Sequence, residues 1–244
     1  MAIYLDSAIP DEARQAMSLG YVRGITTNPT LLARVNRPGV EVLRELCRIC
    51  DGTVFYQLNA PTVSERREEA GYVLSLNEEL RRKHDEALAQ LEAALAKGEE
   101  GEPAPFGRVG LKIPATAENM SLVSHFADRG ETVAVTAVFN CAQAYAACEA
   151  GATYLLPYVN RMTRLRGDGI AFVRELVQVC QAVDRGTEVL AASIKTPQEA
   201  VSTLLAGARH VSMPLAIIVA MGHDPLSEQA IADFAQGVSS RMSR

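Results

Sequence analysis

Short apolar segments of strand type alternate with amphipathic helical segments along almost the whole chain. That alternation restricts the fold more than any other feature of the sequence. Ile3–Asp6, Gly24–Thr27, Thr53–Leu58, Val109–Ile113, Thr132–Val138, Thr153–Pro157, Glu188–Ser193 and His210–Met213 read as strands. The first helix is Pro10–Leu19, with Pro10, Asp11 and Glu12 marking its start. Asn28-Pro29-Thr30 opens a second through Ala33, and Val40–Cys50 follows. Ser121–Arg129, Ala142–Ala150, Ile170–Val183 and Pro197–Ala206 each follow a later strand, and Leu215–Met221 and Ser227–Met242 close the chain. Strands separated by helices pair in parallel. Eight such units predict a (β/α)8 barrel, a fold that suits 244 residues as a single domain, with 225–244 as a C-terminal helix. A doubly wound open sheet is the structural alternative. No Gly-x-Gly-x-x-Gly follows the first strand, so a dinucleotide-binding version has no support.

The spacing breaks between the third and fourth strands, at 62–107. Thr62 to Lys97 is charged and helix-prone, and Leu88, Leu91 and Leu95 form one stripe at i, i+3, i+7. Gly98 to Gly107 carries three Glu, three Gly and two Pro and reads as an acidic loop. The insertion is expected to be a lengthened surface helix or a hairpin of two. A functional role would make it a subunit-contact arm or a lid over the barrel mouth.

Charge and cysteine content narrow the function classes. The net charge is −5 without basic blocks, which disfavours a nucleic-acid partner. No apolar run approaches the roughly 18 residues of a membrane span, and the opening residues do not resemble a secretory leader. Five scattered cysteines suit a reducing, cytoplasmic setting. Cys47 and Cys50 form a Cys-x-x-Cys pair at a helix end rather than at a helix N-terminus. No second pair completes a zinc site, so they are expected to be plain buried thiols.

One residue violates the apolar pattern where a violation is expensive. Val109-Gly110-Leu111-Lys112-Ile113-Pro114 is a strand with a lysine in it, and only four of the 24 Lys and Arg residues are lysine. A buried ammonium is unfavourable unless its pKa falls or it is paired. Arg cannot lose its proton usefully, whereas Lys can, and its neutral amine attacks carbonyls to form a Schiff base. The competing reading is a lysine that snorkels from a strand end or pairs with a carboxylate. Strand parity puts Lys112 inside the barrel if Val109, Leu111 and Ile113 face the helices; by the same rule Asp6 sides with Tyr4, and Gln57 with Phe55.

In a barrel the site lies at the C-terminal ends of the strands. Asp6 ends the first strand, Thr26-Thr27-Asn28 the second, and Gln57 with Asn59 the third. Beyond Lys112, Thr136 and Asn140 mark the fifth, Tyr158, Asn160 and Arg161 the sixth. Ser193 and Lys195 end the seventh, and Ser212 lies on the eighth. Each polar strand end alone says little, since backbone groups there need partners. Together they ring one mouth.

The motifs Leu5-Asp6, Gly24-Ile25-Thr26-Thr27-Asn28-Pro29, Leu111-Lys112-Ile113-Pro114, Pro157-Tyr158-Val159-Asn160-Arg161 and Ala191-Ala192-Ser193-Ile194-Lys195-Thr196-Pro197 resemble those of the small transaldolase family. The resemblance is to its fructose-6-phosphate aldolase branch, over residues 1–61 and 109–214. It implies a class I aldolase barrel without metal or other cofactor, with Lys112 as the Schiff-base nucleophile. It implies that Asp6 and Asn28 bind substrate hydroxyls and position the carbinolamine, with Thr26 as a nearby polar contact. Gln57, Thr136 and Tyr158 would hold a catalytic water, Tyr158 acting as acid and base through it. Arg161 and Ser193 would take a phosphate, a role that suits the guanidinium fork. The 62–107 segment is longer than the resemblance implies. Leu156 is bulkier than the small residue expected there and is predicted to narrow the pocket. A ring-shaped homo-oligomer (pentamer or decamer) is implied too, its C-terminal helix offering Phe234 and Val238 to a neighbour.

Transaldolases of the family tend to carry Glu and Phe where Gln57 and Tyr158 stand here. A carboxylate shuttles protons directly and an amide does not. Three readings follow. The first is a Schiff-base aldolase acting on a ketose or its phosphate, with dihydroxyacetone as one fragment. The second is a transaldolase moving that fragment between sugar phosphates, and the third a barrel that binds a phosphosugar without chemistry.

Overall fold

The computed structural model describes residues 1–98, 100–101 and 103–242, with side chains in the last helix described through Ala235. Eight strands close a barrel in chain order: β1 (Ala2–Asp6), β2 (Val22–Thr26), β3 (Thr53–Gln57), β4 (Arg108–Pro114), β5 (Val133–Val138), β6 (Tyr154–Pro157), β7 (Glu188–Ala191) and β8 (His210–Met213). All neighbours are parallel, and β1 pairs with β8 to close the ring. The expected (β/α)8 fold is therefore what the chain forms. No helix among the described residues is long and apolar enough to cross a membrane.

Helices α1 (Pro10–Ser18), α2 (Pro29–Ala33) and α3 (Gly39–Ile49) cover β1 to β3, and α4 (Val63–Leu95) precedes β4. Then come α5 (Met120–Ala127), α6 (Cys141–Glu149), α7 (Val159–Arg166), α8 (Gly169–Val183), α9 (Pro197–Leu205), α10 (Leu215–Ala220) and α11 (Pro225–Met242). The sequence did not suggest α7. Only Val159 and Met162 of that helix are buried, a pair too short to register as periodicity.

Strand parity separates two apolar layers. Val109, Leu111 and Ile113 pack outward against the helices with Val133, Val135 and Leu155. Tyr4, Phe55, Ala134, Leu156 and Leu190 form a separate cluster inside the barrel. Leu156 is thus part of the plug that fills the barrel interior, not a wall that narrows the pocket, because its strand position points it at Phe55 and Leu190. One irregularity keeps β5 in phase. Ala137 adopts a left-handed backbone (φ 58°) at a bulge between Thr136 and Val138. The extra residue returns Val138 to the outer layer while Thr136 stays inside.

The 62–107 insertion is one long helix and a return segment. A capping box starts α4: Glu65 N–H donates to Thr62 Oγ1 (3.2 Å), and Thr62 N–H donates to Glu65 Oε2 (2.9 Å). Asn77 already meets the first residues of β4: Val109 N–H donates to Asn77 Oδ1 (2.7 Å), and Asn77 Nδ2 donates to Val109 O (3.0 Å). The helix has then reached the N-terminal end of the barrel. Leu80 is still buried and Glu79 still bonds Arg44 of α3; beyond them the helix runs on to Leu95 with no buried residue. Phe106 stacks on His84 (4.6 Å) as the chain returns. The overhang lies at the end opposite the mouth, so the lid expectation is corrected. A helix that leaves the mouth at Val63 can only overrun the far end.

Glu69 ties the start of α4 to the rim. Its carboxylate accepts from Asn59 N–H (3.0 Å), Ala60 N–H (3.0 Å) and Tyr56 Oη (2.8 Å). Three charge-assisted bonds hold the turn that follows Gln57. Glu69→Ala is expected to cost roughly 2–4 kcal/mol and to lower turnover by loosening Gln57; a chemical-denaturation curve with an unchanged midpoint would contradict this.

At the C-terminus α11 exposes Leu226, Ile231 and Phe234. The side chain of Val238 lies outside the described residues. Cys47 and Cys50 are buried, and burial pushes their thiols up to about 12 and about 11, so they are inert at neutral pH.

Candidate active site

The C-terminal strand ends open on a cavity of about 650 Å³. Lys112 reaches it from the middle of β4 and is only 3 % exposed. In register it lies beside Gln57 on β3 and Ala134 on β5. Burial pushes its pKa down to about 8, and the Asp6 carboxylate opposes that shift more weakly. Near neutral pH the amine therefore spends a useful fraction of time unprotonated.

Asp6 is held from the side by a hydroxyl relay. Thr26 Oγ1 donates to Asp6 Oδ1 (2.9 Å) and lies 2.6 Å from Ser212 Oγ. Thr26 has one proton, and Asp6 takes it, so Ser212 must donate to Thr26. The relay holds the carboxylate in place at the end of β1, where it lines the cavity. Ser212 stood in the ring of strand ends but drew no role from the sequence; parity along β8 is the signal that puts it inside.

On the β5–β6 side, Thr136 Oγ1 and Tyr158 Oη are hydrogen-bonded (3.0 Å). The Tyr158 ring lies edge-on to Phe139 (5.9 Å) and beneath the Arg161 guanidinium (4.7 Å), which fixes its orientation. Gln57 Oε1 is buried, and no described protein group donates to it. Gln57 and Tyr158 line the cavity with Lys112, while Thr136 is fully buried and meets the site through the Tyr158 hydroxyl.

Asn28 caps α2, its Oδ1 accepting from Leu31 N–H (3.0 Å). Its amide nitrogen makes no hydrogen bond among the described residues and is placed to donate to a ligand. Thr27 does not serve the site: its hydroxyl donates to Phe55 O (2.8 Å). Arg161 stands in the first turn of α7, and Ser193 holds a left-handed backbone (φ 62°) just past β7; both line the cavity. A non-glycine residue in that conformation is uncommon, and here it sits at the cavity wall.

Two further cations line the cavity, Lys195 and Arg34. Lys195 was visible as a strand-end residue. Arg34 gave no sequence signal, because it reads as one more residue after a short helix. Neither side chain, nor that of Arg161, bonds a carboxylate among the described residues.

The barrel resembles that of a crystallised point mutant of an active chimera of (S)-mandelate dehydrogenase, with a TM-score of 0.52 at 12 % identity. The likeness covers 88 % of this chain and 67 % of that one, and it concerns the fold alone. A probable transaldolase of Herpetosiphon aurantiacus is 32 % identical over 234 residues, covering 96 % of this chain and 93 % of the relative. One of a Thermoanaerobacter species is 30 % identical over 236 residues, covering 97 % and 96 %. A family model described as Transaldolase/Fructose-6-phosphate aldolase matches residues 3–244. With that match running through every strand that carries the cavity, the chain belongs to the transaldolase/fructose-6-phosphate aldolase family of enzymes.

Proposed function

We propose that the protein is a Schiff-base aldolase that reversibly cleaves a ketose phosphate such as fructose 6-phosphate, carrying dihydroxyacetone on Lys112. One observation carries this reading: a lysine 3 % exposed, its pKa lowered to about 8, lines the cavity beside Gln57. The neutral amine adds to the C2 carbonyl, and the carbinolamine loses water to give an iminium ion. Asp6 takes the proton of the C4 hydroxyl. The C3–C4 bond breaks, its electron pair passes to the iminium as an enamine, and the aldehyde leaves. Water held by Gln57, Thr136 and Tyr158 delivers a proton to the enamine carbon. A water then adds to the iminium and releases dihydroxyacetone and the free amine. Asn28 positions a hydroxyl, Thr26 holds Asp6 from the side, and Arg161 with Ser193 holds the phosphate.

The second reading is a transaldolase, as the relatives are named. In that case the enamine attacks a second aldehyde instead of taking a proton. Gln57 and Tyr158 support cleavage, since an amide and a phenol hold a protonating water without placing a carboxylate beside the enamine. Gln57→Glu is expected to raise transfer relative to cleavage severalfold; an unchanged ratio removes the reason for ranking aldolase first. In either case the reading carries a homo-oligomer, with Leu226, Ile231 and Phe234 of α11 packed on a second copy.

Borohydride reduction with dihydroxyacetone, followed by peptide mass spectrometry, tests the covalent step. A reduced adduct on the Lys112 peptide is expected. An unmodified peptide from active protein overturns both enzyme readings.

A further inference from the structure

Arg161, Ser193 and Lys195 line one wall of the cavity, and that wall is knitted together beyond the barrel ladder. The β6–β7 pairing runs on past the strands. Tyr158 bridges to Ala192, Val159 N–H donates to Ala192 O (2.9 Å), and Asn160 N–H donates to Ser193 O (3.2 Å). Ser193 holds its left-handed backbone (φ 62°) at the end of this run. Such a conformation is costly for a non-glycine residue and persists only where the surroundings fix it. Asn160 fixes the turn at Ser193. Glu199, in the first turn of α9, fixes it two residues later: Lys195 N–H donates to Glu199 Oε2 (2.7 Å).

The same carboxylate reaches across to α7, where Asn160 Nδ2 donates to Glu199 Oε1 (3.3 Å). Arg164 Nε donates to Asn160 Oδ1 (3.3 Å), so the amide nitrogen is the atom that faces Glu199. The bonds close a circuit from Ser193 O through Asn160 to Glu199 and back to Lys195 N–H. It spans the seam between the turn after β7 and the first turn of α7, where Arg161 is the neighbour of Asn160. Helix capping alone does not call for this arrangement. Thr196 caps α9, its Oγ1 accepting from Glu199 N–H (3.0 Å), and in a capping box the glutamate returns to the N–H of that same cap residue. Here the carboxylate serves Lys195 and Asn160 instead. Charge gives no reason for it either, because a carboxylate behind this wall repels an incoming phosphate. The bonds it makes are what account for its place.

We propose that Glu199 is a positioning residue for the phosphate wall: its two oxygens lock the Ser193–Lys195 turn to the first turn of α7, so that Ser193, Lys195 and Arg161 face a single phosphate. The inference rests on the reading that Arg161 with Ser193 holds the substrate phosphate, and it adds the group that sets their spacing. Glu199 lies behind the wall rather than in the cavity. It should therefore govern how much phosphorylated substrate is needed, and leave the chemistry at Lys112 alone.

The test follows addition of dihydroxyacetone to glyceraldehyde 3-phosphate and to glyceraldehyde in the wild type, Glu199→Ala and Glu199→Gln. In Glu199→Ala, KM for glyceraldehyde 3-phosphate is expected to rise about tenfold, the size of one lost charge-assisted bond. The rise in Glu199→Gln should be smaller, since the single amide oxygen keeps one of the two donors. KM for glyceraldehyde, and kcat with either aldehyde, should stay within about twofold of wild type. A loss of kcat on both aldehydes alike would mark a merely structural role and overturns the inference. So does a lower KM for the phosphate ester in Glu199→Gln, the mark of a carboxylate that only repels. Calorimetric titration with inorganic phosphate reads the same contrast without chemistry, and Kd should again rise about tenfold in Glu199→Ala. Glu199-dependent phosphate binding in a protein that traps no adduct on the Lys112 peptide would sink the Schiff-base reading and leave the positioning role standing. Normal trapping, with a preference for the phosphate ester that neither variant changes, would do the reverse.

Discussion

Lys112→Met is expected to abolish turnover and, at pH 7, to make the folded protein more stable. The loss of turnover follows from the loss of the buried amine proposed to form the imine, and no adduct should be trapped on the peptide that carries position 112. The gain in stability follows from burial. Desolvation takes the amine from 10.5 to about 8 in the folded chain. A shift of that size corresponds to roughly 3 kcal/mol of destabilisation when the group is fully protonated. Lys112 is nearly inaccessible, so solvent screens little of this. Methionine fills a similar volume without charge. The melting temperature at pH 7 should rise by roughly 5–10 °C. The pH dependence has a defined sign. The folded state binds its proton less readily than the unfolded one, so the penalty is complete below about 8. It fades as pH rises and is gone above 10.5. The two proteins should therefore converge in stability near pH 10.5. A variant that melts no higher than wild type at pH 7, or a gap unchanged at high pH, would refute a buried, weakly paired ammonium.

Tyr158→Phe is expected to lower release of free dihydroxyacetone about 10²–10³-fold, the range of a lost general acid–base group. The ring should stay in place, held by Phe139 on one side and Arg161 on the other. Only the hydroxyl that bonds Thr136 at 3.0 Å is removed. Borohydride trapping at Lys112 should persist, because imine formation precedes the step that needs the phenol. Transfer to an added acceptor aldehyde should fall much less than cleavage, since the acceptor takes the place of the proton. Measuring release and transfer on the same preparation separates the outcomes. A parallel fall in both would mean that Tyr158 acts before the enamine forms, and unchanged release would remove it from the water site.

Much of the site was legible in the sequence because strands obey a period of two. The apolar residues at 109, 111 and 113 identified the outer face of β4, and Lys112 had to point the other way. Asp6 and Gln57 followed from the same parity, whereas Thr26 and Thr136 stood out as polar residues of strands two and five. Other features were hidden for specific reasons. The bulge at Ala137 and the left-handed turn at Ser193 depend on how neighbouring strands stagger, and an alanine or serine does not announce a positive φ. The helix α7 buries too few residues to leave a periodic mark. Leu156 looked like a pocket wall until the inner cluster placed it in the plug with Phe55 and Leu190. The charged stretch at 62–95 was readable as helix, but its direction was not. The bonds between Asn77 and Val109 show that α4 reaches the far end of the barrel well before it finishes.

The alternation of strand and helix, and one lysine in an apolar run, determined the barrel, the mouth and the buried amine proposed as nucleophile without reference to coordinates. Both are local patterns, set by backbone geometry and by the cost of burying charge. The tertiary structure alone decided what surrounds that amine: the Ser212–Thr26–Asp6 relay and the paired hydroxyls of Thr136 and Tyr158. These groups lie far apart along the chain, and their meeting depends on closure of β8 onto β1 and on which strands then oppose each other.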